Sequence, residues 1–285
     1  MNLIDVLDEF KEVLIHKTKY YISIHQAILN LHDISVKSPA KLNGESFDYS
    51  TCFDKDGVKF EISRTSFISS IIAYLFYDYE MASKLMKVCK KLKDHLNSFL
   101  IPIYYFYNGL IASAMAGKAK NKETFIKTIK EDILYLKRFV NDAPANYLHK
   151  VHFLEAELAV LCEDHSEAKS NYQKAILLCK KNRFANEEAM ACERYAIFFL
   201  KIDSQEDATK LLLQSYSCYE MWNASNKSRH LVQKYPLLKD ALKDSTTKVD
   251  KCNEIFESSR TAESISVLSN ISSASINTWD EQNRA

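Results

Sequence analysis

Apolar residues recur at spacings of three and four along most of the chain, which is the periodicity of α-helices. The first such run begins at Leu3 and continues to about Leu31. Residues 33–61 lose the pattern and contain a proline and two glycines, which predicts a loop. Further helices are predicted at 63–77, 79–95, 98–116, 122–140, 146–163, 166–181, 186–201, 204–221 and 224–234. Because the breaks between them are short, consecutive helices are expected to be antiparallel neighbours.

A repeat with an offset of 40 residues is superimposed on this helical pattern. In the tetratricopeptide arrangement, small residues recur where paired helices touch, with an aromatic residue between them. One copy fits at Ala156, Ala168, Tyr172 and Ala175, a second at Ala196, Ala208, Leu212 and Ser215, and a degenerate earlier one at Ser70, Ala82, Met86 and Cys89. The usual repeat is about 34 residues, so the match is loose. The sequence predicts an all-α fold of antiparallel helix pairs in a tetratricopeptide-like α-solenoid.

These patterns divide the chain into four parts. An N-terminal helix occupies residues 1–32, a loop residues 33–61, and the helical-repeat domain residues 62–243. Residues 244–285 are rich in serine and threonine, a composition typical of linkers, although a weak signalling helix is an alternative there.

Glycine is scarce, with four residues among 285. Phosphate-binding loops need clustered glycines so that backbone amides can approach the anion, and no two glycines here are closer than eight positions. The chain therefore has no P-loop, dinucleotide fingerprint or glycine-rich ATP lid. We expect a protein that is not an enzyme and that uses no cofactor.

Charge and cysteine content predict a cytoplasmic protein without a nucleic-acid or membrane partner. The net charge is +1, which gives no general attraction to either. A basic run at Lys84, Lys87, Lys90, Lys91 and Lys93 is typical of a solvated helix face, with an anionic docking surface as the alternative. Seven scattered cysteines without a CxxC pair favour free thiols in a reducing compartment.

Two other segments have a structural and a functional interpretation. Ser98–Gly117 is uncharged and nearly long enough to span a bilayer, but its proline and tyrosines favour a buried central helix. His149, His152 and Glu155 would lie near one another on a helix, yet no HExxH motif is present. We predict neither a membrane span nor a metal site.

The second half of the chain resembles a region of multidomain signalling kinases. Residues 186–198 read NExAxAxExxAxF, and Tyr219, Trp222, Asn223, Lys227, Leu231, Tyr235 and Pro236 follow. In hybrid histidine kinases of fungi, amoebae and some bacteria, a helical stretch with the similar patterns NExxAxExxAxF and YxxWGAxxKxxxLxxxYP lies between an AAA-type ATPase domain and GAF and histidine-kinase domains. The resemblance is specific from about residue 145 to 236 and looser back to about 62.

This chain departs from the pattern at Asn223, where the family has glycine. Asparagine is the best substitute for a left-handed residue at a helix C-terminus, so the turn is expected to survive. Tyr219 and Trp222 are interpreted as packing anchors.

The resemblance implies a non-catalytic regulatory or scaffold module of a histidine-kinase phosphorelay, or a fragment or truncated relative of such a protein. The alternative is a free-standing tetratricopeptide-type adaptor for a peptide or protein. In either case the partner is a protein. The candidate partner-binding groove lies between the helices at 146–163 and 186–201, with His152, Glu155, Glu193 and Tyr195 as contacts.

Overall fold

The computed structural model describes residues 19–44, 47–49, 59–96 and 98–246. Within these ranges the secondary structure is helical, apart from an isolated bridge between Asn43 and Asp48. The helices are α1 (Lys19–His32), α2 (Lys59–Leu75), α3 (Tyr79–Lys91), α4 (Leu100–Ala116), α5 (Glu123–Val140), α6 (Pro144–Leu161), α7 (His165–Lys181), α8 (Ala185–Lys201), α9 (Gln205–Met221), α10 (Ser225–Lys234) and α11 (Pro236–Thr246). A short 3₁₀ turn, Lys93–His95, follows α3. The predicted all-α class is confirmed.

The predicted helices correspond to the observed ones with small shifts at their ends. Helix α2 begins at Lys59, within the segment predicted as loop, and α11 was not predicted as a separate helix. Helix α11 starts a second compact unit at Pro236. The predicted helix before residue 19 and the predicted linker beyond residue 246 lie outside the described residues.

The small residues of the predicted repeat are buried where consecutive helices pack. Helix α6 packs against α7, and α8 against α9. The side chains of both copies are at most 1% exposed: Ala156, Ala168, Tyr172 and Ala175, then Ala196, Ala208, Leu212 and Ser215. Alanine at these positions allows the helix backbones to approach closely.

A left-handed residue ends several of the helices. Glu163, Arg183, Asp203 and Asn223 have φ between 59° and 62° and follow one another at intervals of 20 residues. After each, the next amide donates to the carbonyl five residues earlier, as Asp164 N does to Ala159 O at 3.0 Å. This is the Schellman motif, which satisfies the last free carbonyls of a helix. The left-handed turn predicted at Asn223 is confirmed.

Helix α4 lies at the centre of the packing. Twelve of its 17 residues are buried, and it contacts α2, α3, α5 and α6. Gly109 permits the contact with α6, because a Cβ atom there would lie 2.8 Å from two side-chain carbons of Leu154. The buried central helix predicted at Ser98–Gly117 is confirmed. Among the described residues, no helix has the length and apolar character needed to cross a membrane.

The first and last of the described helices in the larger unit lie side by side. Helix α1 packs against both α2 and α10. The Asn226 side chain donates to the Asn30 carbonyl at 2.8 Å, and the His32 ring lies 3.0 Å from the Asn223 carbonyl. The helical array therefore closes on itself through contacts that span more than 190 positions.

Candidate functional site

The four residues predicted to line a partner groove differ in exposure. His152 and Glu155 on α6 are 20% and 25% exposed. Glu155 pairs with Lys137 of α5 at 2.7 Å, and the His152 ring lies 2.9 Å from the Asn171 side-chain oxygen. These two side chains are accessible between α5 and α7.

The other two predicted contacts, Glu193 and Tyr195 on α8, are interior, each 4% exposed. Tyr195 stacks on Tyr172 with ring centroids 4.9 Å apart. Glu193 belongs to a buried ionic cluster described below. Only the His152 and Glu155 part of the predicted groove is therefore presented to solvent.

A buried carboxylate on α6 is held by an arginine from α8. Arg194 donates two hydrogen bonds to Glu157, at 2.9 and 2.7 Å, and the Tyr172 hydroxyl donates a third at 2.6 Å. The Ser113 hydroxyl of α4 donates a fourth. Burial alone raises the pKa of Glu157, but Arg194 and the hydroxyl donors outweigh it and keep that pKa below its usual value. The cluster fastens α4, α6, α7 and α8 together.

A second buried carboxylate, Glu187, binds the two basic residues at positions 149 and 150. The Lys150 ammonium lies 2.7 Å from the Glu187 carboxylate and 3.0 Å from the His149 ring nitrogen Nε2, which also contacts Glu187. Burial opposes ionisation of Glu187, but the Lys150 charge and the hydrogen bonds from both partners lower its pKa to about 2. This cluster of His149, Lys150 and Glu187 joins α6 to α8.

The same place brings together His149, Cys179 and Glu187, whose ligand atoms lie within 4.8 Å of one another. The Lys150 ammonium already provides a cation at this position. The trio therefore does not fit a metal ion. His152 and Glu155, which the sequence placed beside His149, lie at the surface instead.

Another buried carboxylate, Glu193, connects the stretch at residues 186–198 with the segment from Tyr219 to Pro236. Its partner Lys227, from α10, is fully buried and lies 3.2 Å away. The Tyr219 hydroxyl donates to Glu193 at 2.8 Å and the Tyr77 hydroxyl donates to its other oxygen. Lys227 also donates to the Leu75 carbonyl at 2.6 Å. One ionic cluster thus fastens α8, α9 and α10 to the turn after α2.

The buried acid Asp132 has a different environment. It is 3% exposed and accepts a hydrogen bond from the Asn108 side chain at 2.8 Å, but no cation pairs with it among the described residues. Burial raises its pKa to about 8, and the Asn108 hydrogen bond and the charges of Lys90 and Lys93 only partly oppose this. Asp132 is therefore largely protonated at neutral pH.

Asp132 lies in a cleft of about 320 Å³, hereafter the Asp132 cleft. Its walls come from the end of α3, from α4 and from α5. The lining residues are Lys90, Lys93, Tyr104, Tyr105, Asn108, Thr128, Glu131, Asp132, Leu134, Tyr135 and Arg138.

Sequence reasoning identified only the basic edge of this cleft. Lys90 and Lys93 belong to the basic run, but Asp132 and Asn108 were not singled out. A signal for Asp132 was present: it lies in the apolar register of α5 with Ile129, Ile133 and Leu136, all of which are buried. An acid on the apolar face of an amphipathic helix is unusual enough to mark a site.

Comparison with known proteins gave no assignment, because no family model, curated protein or solved structure matched the chain significantly.

Proposed function

We propose that this chain is a non-catalytic helical-repeat module of a histidine-kinase signalling protein, acting by contact with other domains or with a separate protein. The observation that best supports this proposal is the ion pair between Glu193 and Lys227. It connects the NExAxAxExxAxF stretch with the segment from Tyr219 to Pro236, the two parts on which the resemblance rests. Residues of this pattern thus have a physical role, because they hold neighbouring helices together in the interior.

The chemistry of the interior supports a structural role for these acids. Glu157, Glu187 and Glu193 each have a basic partner from another helix. Separating such a carboxylate from its partner would leave a buried charge uncompensated, which disfavours other arrangements of the helices, as a scaffold requires.

A cytoplasmic location is part of the proposal. The five described cysteines are free thiols, and four of them are buried. A reducing compartment suits that state. We expect a protein partner rather than nucleic acid or membrane, since the net charge is +1.

A labelling experiment tests the non-catalytic part. Purified full chain is incubated with radiolabelled ATP and magnesium, beside a known histidine kinase as positive control. We expect no label on the chain, although it contains eight histidines. Reproducible labelling that one His→Ala substitution abolishes would overturn the scaffold proposal.

A second experiment tests the regulatory part. The full chain is titrated into a kinase with the ATPase, GAF and histidine-kinase domains, encoded in the same genome, and its autophosphorylation rate is measured. We expect a saturable change in rate that the double variant His152→Ala, Glu155→Ala reduces, with Gln173→Ala on exposed α7 surface as control. An unchanged kinase rate contradicts this proposal and favours the adaptor alternative.

A further inference from the structure

We propose that the Asp132 cleft binds a small organic anion that carries a planar heterocyclic ring, of the size of a mononucleotide. This inference is independent of the scaffold proposal, because it concerns the α4–α5 side of the molecule and none of the ionic clusters described above.

The charges of the cleft favour an anion. Lys90, Lys93 and Arg138 contribute three positive charges, and Glu131 contributes one negative charge. Asp132 adds no negative charge while it is protonated, since its pKa is about 8. A concave site with an excess of one charge sign concentrates ligands of the opposite sign. We therefore expect the ligand to place a phosphate or carboxylate group at the basic edge of the cleft.

Aromatic side chains provide a surface for a planar ring. Tyr105 of α4 and Tyr135 of α5 stack with centroids 3.7 Å apart and ring planes 23° from parallel. The Arg138 guanidinium lies 5.5 Å from the Tyr135 ring centroid, and Lys93 donates to the Tyr105 hydroxyl at 3.0 Å. Because the two rings cover one face of each other, a base would stack on an outer face, and bases stack on aromatic rings largely without regard to their identity. The rings and the cations are therefore adjacent, as a nucleotide's base and phosphate require.

The polar floor supplies hydrogen bonds for the edge of the ring. Glu157, Glu187 and Glu193 have internal basic partners, whereas Asp132 accepts one hydrogen bond from Asn108. A protonated carboxyl beside a carboxamide offers both donors and acceptors. The edge of a nucleobase presents donors and acceptors in the same way.

The size of the cleft limits the ligand. About 320 Å³ lies at the lower end of the range for small-molecule pockets. Leu134 lines the cleft and is 62% exposed, so it adds an apolar contact at the solvent side. The cleft suits one ring and one anionic group.

Calorimetric titration of the full chain at pH 7 tests the proposal. The probes are AMP, GMP, CMP and UMP, with adenosine and inorganic phosphate as the two partial ligands. We expect at least one mononucleotide to bind about tenfold or more tightly than adenosine or phosphate. Absence of saturable mononucleotide binding up to millimolar concentration overturns the proposal, and so does phosphate binding as tightly as every nucleotide, which would show a simple anion site.

Surface variants locate the binding without disturbing the core. Lys93→Met and Arg138→Met should each weaken nucleotide binding about tenfold while changing adenosine binding less than twofold. Lys87→Met is the matched control, because Lys87 is exposed on α3 and does not line the cleft. Nucleotide binding that is unchanged in both cleft variants contradicts the proposal.

The pH dependence of nucleotide affinity tests the role of Asp132 separately. The charged and titratable groups around it are Lys90 at the end of α3, Lys93 in the 3₁₀ turn that follows, Tyr104 and Tyr105 on α4, and Glu131, Tyr135 and Arg138 on α5. Ionisation of Asp132 adds a negative charge, so nucleotide affinity should fall severalfold between pH 7 and pH 9. Asp132→Asn keeps the shape and a donor, and should bind with a flatter profile. An equally steep profile in that variant contradicts a role for Asp132.

Discussion

At the scale of single residues, burial of charge is the most unusual feature of this protein. Lys227 is fully buried, and burial lowers its pKa while the Glu193 charge opposes that effect. Its ammonium also lies 4.2 Å from the Tyr77 ring centroid. Removal of one partner from a buried pair leaves an uncompensated charge, which costs more than the intact pair contributes.

Lys227→Met should therefore destabilise the fold strongly. The Glu193 carboxylate would remain buried with only tyrosine hydroxyl donors, and we expect a loss of roughly 3–5 kcal/mol in the free energy of unfolding. Urea unfolding measures it. The control Lys210→Met removes an exposed pair with Glu206 and should cost less than about 1 kcal/mol. Similar losses in the two variants would contradict the importance of burial.

The raised pKa of Asp132 predicts that the stability of the fold depends on pH. Its pKa is raised from 3.8 to about 8 in the folded state, so between these values the folded chain binds more protons than the unfolded chain. Its contribution to stability must then fall as pH rises from about 4 to about 8. Asp132→Asn should be the more stable protein at pH 8.5, by more than about 1 kcal/mol, and nearly equal at pH 4. Glu123→Gln, which removes an exposed acid from the same helix, should leave the pH dependence unchanged, and urea unfolding across this pH range measures both variants.

At the scale of helices, small residues and left-handed turns set the pairing. Consecutive helices from α6 to α9 have 17 or 18 residues. They turn back at non-glycine residues in the left-handed region. Equal helix lengths and equal turns place the buried alanines at equivalent depths in successive pairs.

Ala168→Leu and Ala208→Leu should each overpack a helix contact. Both alanines are 0% exposed, so extra methyl groups must displace a neighbouring helix, at a cost of roughly 1–3 kcal/mol. Thermal melting measures the effect. Gln173→Leu places the same side chain on the exposed face of α7 and should melt like the parent. Parent-like melting of both alanine variants would show that the repeat alignment is wrong.

Glycine should improve the left-handed turn at Glu163. That residue is exposed with φ of 62°, a conformation that costs an L-residue roughly 1–2 kcal/mol. Glycine avoids this cost but loses more entropy on folding, so Glu163→Gly should stabilise by up to about 1 kcal/mol. Glu163→Val should destabilise in the same urea assay. Asn223→Gly should be nearly neutral, because asparagine tolerates this region.

At the scale of the whole molecule, the first and last described helices of the larger unit contact each other. Helix α10 carries both Lys227, which reaches the last residue of α2, and Asn226, which reaches α1. Open repeat arrays have contacts only between neighbouring repeats. Contacts between distant helices make the unfolding of α1 depend on α10.

Asn226→Ala tests this dependence. Loss of the hydrogen bond to the Asn30 carbonyl should make amide hydrogen exchange in α1 roughly 2- to 10-fold faster, since such a bond contributes about 0.5–1.5 kcal/mol. Mass spectrometry of peptides from α1 measures it. Gln233→Ala, an exposed change on the same helix, should leave exchange in α1 unaltered. Unchanged exchange in Asn226→Ala would show that α1 is held independently.

The sequence by itself determined most of the helices, their order and the small residues between them. Helical periodicity is local, and an alanine at a regular offset, such as Ala168 or Ala208, has few physical roles other than close packing. The turn at Asn223 was equally predictable, because few residues adopt positive φ at low cost.

Only the tertiary structure decided which polar residues are interior and what they meet. Glu193 looked like a groove residue because a charged side chain on a helix is exposed by default, yet Lys227 and Tyr219 enclose it from helices formed later in the chain. Asp132 meets Asn108 of the neighbouring helix, at a separation of 24 residues. Periodicity specifies the face of a helix on which a side chain lies, but it contains no information on the partner opposite. The ionic clusters, the Asp132 cleft and the closure of the array all depend on such pairings.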